Sequence, residues 1–147
     1  MYEESVGYQL KRVQHALRAQ MDNALREMGL TTPQYAALNA IEETPGSSGN
    51  KIARRCFVTP QTMNLILANL ESVGLIVRRP HPEYGRILQA YLTPLGESRL
   101  QESHQRVYII EENMVADFDD EQLSQLAQAL RTCADALEES MGSAFDE

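Results

Sequence analysis

No stretch of about eighteen consecutive apolar residues occurs in this chain, which excludes a membrane-spanning helix. Its first ten residues, MYEESVGYQL, carry acids where a signal peptide needs positive charge followed by an apolar run. The expectation is a soluble, cytoplasmic protein with no membrane partner. Cysteine is scarce. Cys56 and Cys133 stand in apolar helical patterns without CxxC or Cys/His spacing, so they read as structural thiols, with redox sensing as the alternative. His81 and His104 are isolated, and no metal site is expected. Also missing are a Gly-rich phosphate loop, a nucleophile elbow and an HExxH pattern. The carboxylates concentrate in helix caps and tails such as Asp117–Glu121 and Asp135–Glu139, where they complement helix N-termini or keep the surface soluble. No catalytic residue or cofactor is therefore expected, and the enzyme class fares badly. There is no internal repeat, linker or low-complexity tract, so the 147 residues are expected to form one domain around one core.

Positive charge is also in short supply, with 13 Lys and Arg against 21 Asp and Glu, and what there is gathers in one place. Residues 47–93 hold Lys51, Arg54, Arg55, Arg78, Arg79 and Arg86 against only Glu71 and Glu83, a balance of +4. Residues 1–46 sum to −2 and residues 94–147 to −10. A polyanion responds to a local patch within a Debye length rather than to net charge, so an acidic protein with a basic island can bind nucleic acid, provided that it binds in one orientation.

Apolar periodicity and capping residues divide the chain into elements. Val6, Leu10, Val13, Leu17, Met21, Ala24 and Met28 recur at spacings of three and four, predicting a long helix over about residues 4–28 that Gly29 ends. Thr31 or Thr32 caps a second helix, with Pro33 in its first turn, Gln34 as the partner of a capping box, and Tyr35, Leu38 and Ile41 facing inward. Pro45-Gly46 stops it. Ser48 caps a third helix that buries Ile52, Ala53 and Cys56. Thr59-Pro60 opens a fourth, with Met63, Ile66, Leu67 and Leu70 on its apolar face and Gly74 at its end. Leu75–Arg79 and Ile87–Leu92 are β-prone, and the two prolines and glycine between them predict a hairpin tip. Thr93-Pro94 starts another helix, running to about residue 116, and Asp119 with Gln122 starts the last, whose stripe is Leu123, Leu126, Leu130, Cys133, Leu137 and Met141.

Two short helices joined by a tight turn, then a hairpin with basic arms, describe a winged helix-turn-helix. The fold class predicted is mainly α with a small β-hairpin wing, a winged helix-turn-helix unit at 32–93 carried between long terminal dimerisation helices at 1–30 and 94–147. Those terminal stripes exceed what a sixty-residue unit can cover, so a homodimer is the economical way to bury them. An α-helix fits the major groove and reads base edges with its N-terminal residues, while an arginine-bearing hairpin reaches the minor groove or backbone beside it. On the outward face of the fourth helix lie Gln61, Thr62, Asn64, Leu65, Ala68 and Asn69. Gln and Asn pair bidentately with adenine, and Thr62 or Leu65 suits a thymine methyl. The bland reading is a solvated helix face. Placement after a capped N-terminus, beside a basic helix and before a basic hairpin favours DNA instead. Arg54 and Arg55 then supply at least one phosphate contact, and Arg86 a minor-groove or backbone contact. Arg78 and Arg79 point to opposite faces of their strand, so only one meets DNA. His81 falls at the wing tip as a surface residue, and His104 reads as a solvated helix residue.

The run KIARRCFVTPQTMNLILANLESVGLIVRRPHPEYGRILQAYLTPLGESRL, with the earlier GLTTPQYAAL, resembles the MarR family of bacterial transcriptional regulators. The resemblance in helix order covers nearly the whole chain. It implies a winged-helix homodimer that binds a pseudo-palindromic double-stranded DNA operator, usually represses, and is released by small molecules, often phenolic or aromatic acids, or sometimes by oxidants. Thr59, Pro60, Gln61, Thr62 and Asn64 fall where the family's recognition helix meets the major groove, and Arg86 falls on its wing arginine. The chain departs from the family pattern in two places. Leu65 and Asn69 stand where cations are common, and Tyr84 stands where an aspartate usually precedes the wing arginine by two residues. For an effector, Tyr8, Arg12, His15 and Ala19 form a second stripe on the first helix. Arg12 suits a carboxylate, while Tyr8 or His15 suits an aromatic ring, and Tyr35 would line the same crevice. The plain alternative is a solvated face with a snorkelling tyrosine. A redox-responsive regulator, and a winged-helix interaction module that no longer binds DNA, are the competing functions.

Overall fold

The computed structural model describes residues 2–145, and Met1, Asp146 and Glu147, the ends of the expected dimerisation segments, lie outside them. The chain gathers into two compact units, one running up to Ile110 and the other starting at Glu111.

In the first unit the helices are α1 (Val6–Arg26), α2 (Thr32–Glu43), α3 (Gly49–Arg55), α4 (Pro60–Ser72) and most of α5 (Pro94–Met114), and the strands are β1 (Ser47–Ser48), β2 (Ile76–Pro80) and β3 (Leu88–Leu92). Each helix start rests on a local side-chain cap. Ser5 accepts from the Tyr8 amide, and Thr31 and Gln34 form a reciprocal capping box. Ser48 accepts from Lys51, and Thr59 from Thr62. Thr31, Ser48 and Thr59 are caps that the sequence predicts, because their partners are only three positions away, and Ser5 is a further cap beyond those.

The three strands form one antiparallel sheet in the order β1-β3-β2, with Ser47 opposite Ala90 and Arg78 also opposite Ala90. β1 was not legible in the sequence. Two serines carry no alternation, and the strand exists because Gly46, at φ 83, turns the chain so that its amide donates to the Ala90 carbonyl at 2.9 Å. Leu25, Leu38, Ile41, Ile52, Met63, Leu67, Leu70, Leu75, Ile76 and Leu100 are fully buried and weld the helices to the sheet. The N-terminal half of α1 is different. Val6, Leu10 and Val13 of its apolar stripe are exposed.

In the second unit α6 (Asp120–Phe145) starts at the predicted cap, where Asp119 accepts from the Gln122 amide at 2.8 Å and Gln122 returns the bond at 2.9 Å. Leu126, Leu130, Leu137 and Met141 are exposed, and so is Cys133. Cys133 therefore does not have the buried setting expected of a structural thiol. Among the described residues no helix is long and apolar enough to cross a membrane.

Candidate nucleic-acid interface

Burial of Met63, Leu67 and Leu70 fixes the roll of α4, and the same rotation leaves Gln61, Thr62, Asn64, Leu65 and Asn69 exposed. Leu65 is 71% exposed, an apolar side chain held out where the helix has no cation. Pro60 occupies the first helical turn. Thr59 donates its hydroxyl to Thr62 Oγ1 at 2.9 Å, so the Thr62 hydroxyl proton is available to an outside acceptor. Asn69 Oδ1 accepts from Gln34 Nε2 of α2 at 2.8 Å, which locks the far end of α4 to its neighbour.

The turn between α3 and α4 passes through Phe57 at φ 58, a left-handed conformation, and the residue is 88% exposed. On α3, Arg54 and Arg55 are both exposed, but they are not equivalent. Arg55 Nη2 is 3.0 Å from Glu43 Oε2, whereas Arg54 has no partner among the described residues.

The hairpin tip is built on His81. Its Nδ1 accepts from the backbone amides of Glu83 and Tyr84, both at 3.1 Å, so the ring proton sits on Nε2. His81 is thus more than the surface residue expected: it organises the tip in a chain that has Tyr84 in place of the family's aspartate. Arg86 is exposed and unpaired among the described residues.

The two strand arginines separate as the pleat requires. Arg79 lies over the Tyr91 ring, 5.6 Å from its centroid. Arg78 turns to α4, where Nη1 donates to Asn64 Oδ1 at 3.0 Å and Nη2 lies 3.3 Å from Glu71 Oε1. Strand alternation predicts the separation, but only the packing of β2 on α4 names the partners. A cleft of about 430 Å³ results, lined by Pro60, Gln61 and Asn64 on one side, Ser48, Gly49 and Asn50 on another, and Arg78 and Arg86 on the wing side. With Arg55 and Arg78 in ion pairs, Lys51, Arg54 and Arg86 are the cations of this face without one among the described residues.

The four residues expected at an effector site are not brought together. Tyr8, Arg12 and His15 line a shallow hollow on α1 with Tyr2, Lys11, Gln14 and Arg18. Tyr35 faces elsewhere. Its hydroxyl is 2.8 Å from His104 Nδ1, and His104 Nε2 is 2.7 Å from Glu42 Oε2. His104 is therefore not a solvated helix residue; it is half-buried, because α5 lies against α2 and presents it to a tyrosine and a glutamate. Glu42 also accepts from Gln101 Nε2 at 3.0 Å. Sequence reasoning missed this chain of contacts, whose bonded partners are 59 to 69 residues apart. Cys56 is half-buried, and burial pushes its thiol pKa up, which suppresses the thiolate that an oxidant needs. No group of three or more His, Cys, Asp or Glu suited to a metal ion occurs among the described residues.

Comparison with known proteins places this geometry. The sequence profile of the MarR family matches residues 28–87. The HTH-type transcriptional repressor Rv2887 of Mycobacterium tuberculosis is 40% identical over 93 residues, which span 63% of this chain and 67% of that protein. The crystal structure of that mycobacterial protein in complex with salicylic acid superposes with a TM-score of 0.71 at 30% identity, covering 90% of this chain and 99% of that one. The transcriptional repressor CouR bound to a 23-mer DNA duplex superposes with a TM-score of 0.83 at 25% identity, covering 90% of this chain and 94% of the other.

Proposed function

Because the chain belongs to the MarR family of winged-helix regulators, we propose that it is a DNA-binding transcriptional repressor that works as a homodimer and responds to a small aromatic or phenolic acid. The observation that carries this reading is the exposed N-terminal face of α4 standing beside Arg86 of the wing and Arg54 of α3. A helix N-terminus with Gln61, Thr62 and Asn64 outward enters a major groove, Thr59 and Pro60 bring its first turn to the backbone, and Arg54 and Arg86 reach phosphates or the minor groove on either side. Arg55, held by Glu43, contributes less.

The exposed apolar residues of the terminal helices support the dimer. Val6, Leu10 and Val13 of α1, Tyr108 and Ile109 of α5, and Leu130, Leu137 and Met141 of α6 are too many to leave in water, and pairing with a second copy is the economical way to cover them. Two copies of α4 then meet successive major grooves, with half-site centres about 10 base pairs apart. Rv2887 has been solved with salicylic acid, and the α1 hollow carries the matching chemistry: Arg12 for a carboxylate, Tyr8 and His15 for a ring. Tyr35, engaged with His104, lies outside that hollow. Nothing in this reading calls for catalysis or a cofactor, and the protein works in the cytoplasm where its operator lies.

The test is footprinting of genomic fragments selected by the purified protein, repeated over a salt series. If Lys51, Arg54 and Arg86 of both copies neutralise about six phosphates, log affinity falls against log salt with a slope of about −5. Protection without two spaced half-sites, or a flat salt response, would refute the assignment. Salicylate at millimolar concentration should release the duplex, and Arg12→Ala should abolish the release while leaving DNA affinity unchanged.

A further inference from the structure

We propose that Arg78 sets the base preference of Asn64, turning it from an adenine reader into a reader that acts chiefly as a donor and favours guanine or thymine. The inference rests on the DNA-binding reading above and deepens it.

A guanidinium has donors only, so the Asn64 atom 3.0 Å from Arg78 Nη1 is necessarily the carbonyl oxygen. The Nδ2 amino group then occupies the opposite side of an exposed carboxamide and has no partner among the described residues. Arg78 is itself held. Nη2 is on Glu71 Oε1 at 3.3 Å, its backbone amide donates to Glu71 Oε2 at 3.2 Å, and its side chain is only 15% exposed. Asn64 and Glu71 stand seven residues apart on one face of α4, so the helix grips the guanidinium at two points and the arginine holds the amide in one orientation.

Bidentate recognition of adenine requires Oδ1 to accept from the N6 amino group while Nδ2 donates to N7. Here one of the two lone pairs of Oδ1 is taken by Arg78, and the guanidinium cation beside it makes the oxygen a poorer acceptor for a second bond from a neutral amino group. The Nδ2 donor complements the acceptors of guanine (N7 and O6) and thymine (O4), whereas the amino groups of adenine (N6) and cytosine (N4) meet an amide donor with a guanidinium cation behind it. An asparagine alone on a recognition helix suggests the contrary preference.

The experiment measures the affinity of the full-length protein and its variants for duplexes that carry each of the four bases at every position of a selected operator. Asn64→Ala identifies the position by flattening preference there. The wild type should favour guanine or thymine at that position. Arg78→Met, which removes the cation and leaves Oδ1 a full acceptor, should move the preference at that position alone toward adenine by about tenfold. Arg78→Lys, still a donor, should keep the wild-type order. Should Arg78→Met fail to fold, Glu71→Ala, which loosens the arginine, carries the same test with a smaller shift. A wild-type preference for adenine, or an Arg78→Met protein that loses affinity equally for all four bases, overturns the proposal while leaving DNA binding intact. A wild-type protein that retains no duplex at low salt overturns the regulatory reading and this one with it.

Discussion

The carbonyl oxygen of Leu75 lies 2.0 Å from the point where a residue other than glycine at position 96 would place its β-carbon. The first turn of α5 therefore runs directly against the start of β2, backbone to backbone, with Thr93 Oγ1 donating to the Gly74 carbonyl at 2.6 Å to close the corner. This contact joins the wing to the helix that follows it. Gly96→Ala should destabilise the protein by about 3 kcal/mol or more, since the atom in the way is backbone and has no other rotamer to adopt. Gly7→Ala, where nothing lies within 4 Å, should be neutral or slightly stabilising. Urea denaturation of both variants checks the pair, and similar midpoints would contradict the packing described.

Phe57 holds φ 58 with its ring in solvent, so it carries the left-handed penalty without the burial that would offset it. That penalty is about 1–2 kcal/mol for an L-residue, partly cancelled in a glycine variant by the larger entropy of the unfolded chain. Phe57→Gly should therefore stabilise the fold by up to about 1 kcal/mol. Phe57→Ala, which keeps the β-carbon, should be close to neutral. Thermal melts decide it: a glycine variant that melts below wild type would show that the ring makes a contact worth more than the strain.

His104 turns Nε2 to the Glu42 carboxylate, which can only accept, and holds Nδ1 2.8 Å from the Tyr35 hydroxyl. Tyr35→Phe removes one bond and should cost about 1 kcal/mol or less, because the site is partly open to solvent. Paired with His104→Leu, it should show coupling, the double variant losing less than the sum of the singles. Strict additivity in denaturant melts would mean that the relay contributes nothing as a unit.

The Asp22 carboxyl is held below its ordinary value of 3.8, first by the Thr32 hydroxyl at 2.5 Å and then by Arg18 at 3.0 Å. A depressed folded-state pKa contributes stability above the unfolded value, and that contribution is lost as pH falls through the folded one. Wild type should therefore lose stability more steeply than Asp22→Asn as pH falls below about 4, with the two curves separated by a constant amount near neutrality. Parallel acid limbs in a pH series of urea melts would remove Asp22 as the tie between α1 and the start of α2.

Much of this architecture was legible along the chain. Thr31 with Gln34, Ser48, Thr59 with Pro60, and Asp119 with Gln122 mark helix starts because a cap bonds an amide two or three residues away, a distance the sequence itself spans. Apolar spacing located the buried faces of α2 and α4, and hence which side chains of α4 face out. The basic island at residues 47–93 was a matter of counting. All of these depend on interactions whose range is one or two helical turns.

What tertiary structure alone decided is the partner of each polar group. The order of residues says that Arg78 and Arg79 diverge, but not that Arg78 closes on Asn64 and Glu71 while Arg79 lies over Tyr91. It offers Arg54 and Arg55 as equals, whereas Glu43, twelve residues back, occupies only Arg55. It groups Tyr35 with Tyr8, Arg12 and His15, whereas the fold gives Tyr35 to His104, sixty-nine residues away. Helical period and capping are local and leave their mark in neighbouring letters. A hydrogen bond between distant side chains depends on how two buried faces meet, and that is settled only when the core closes.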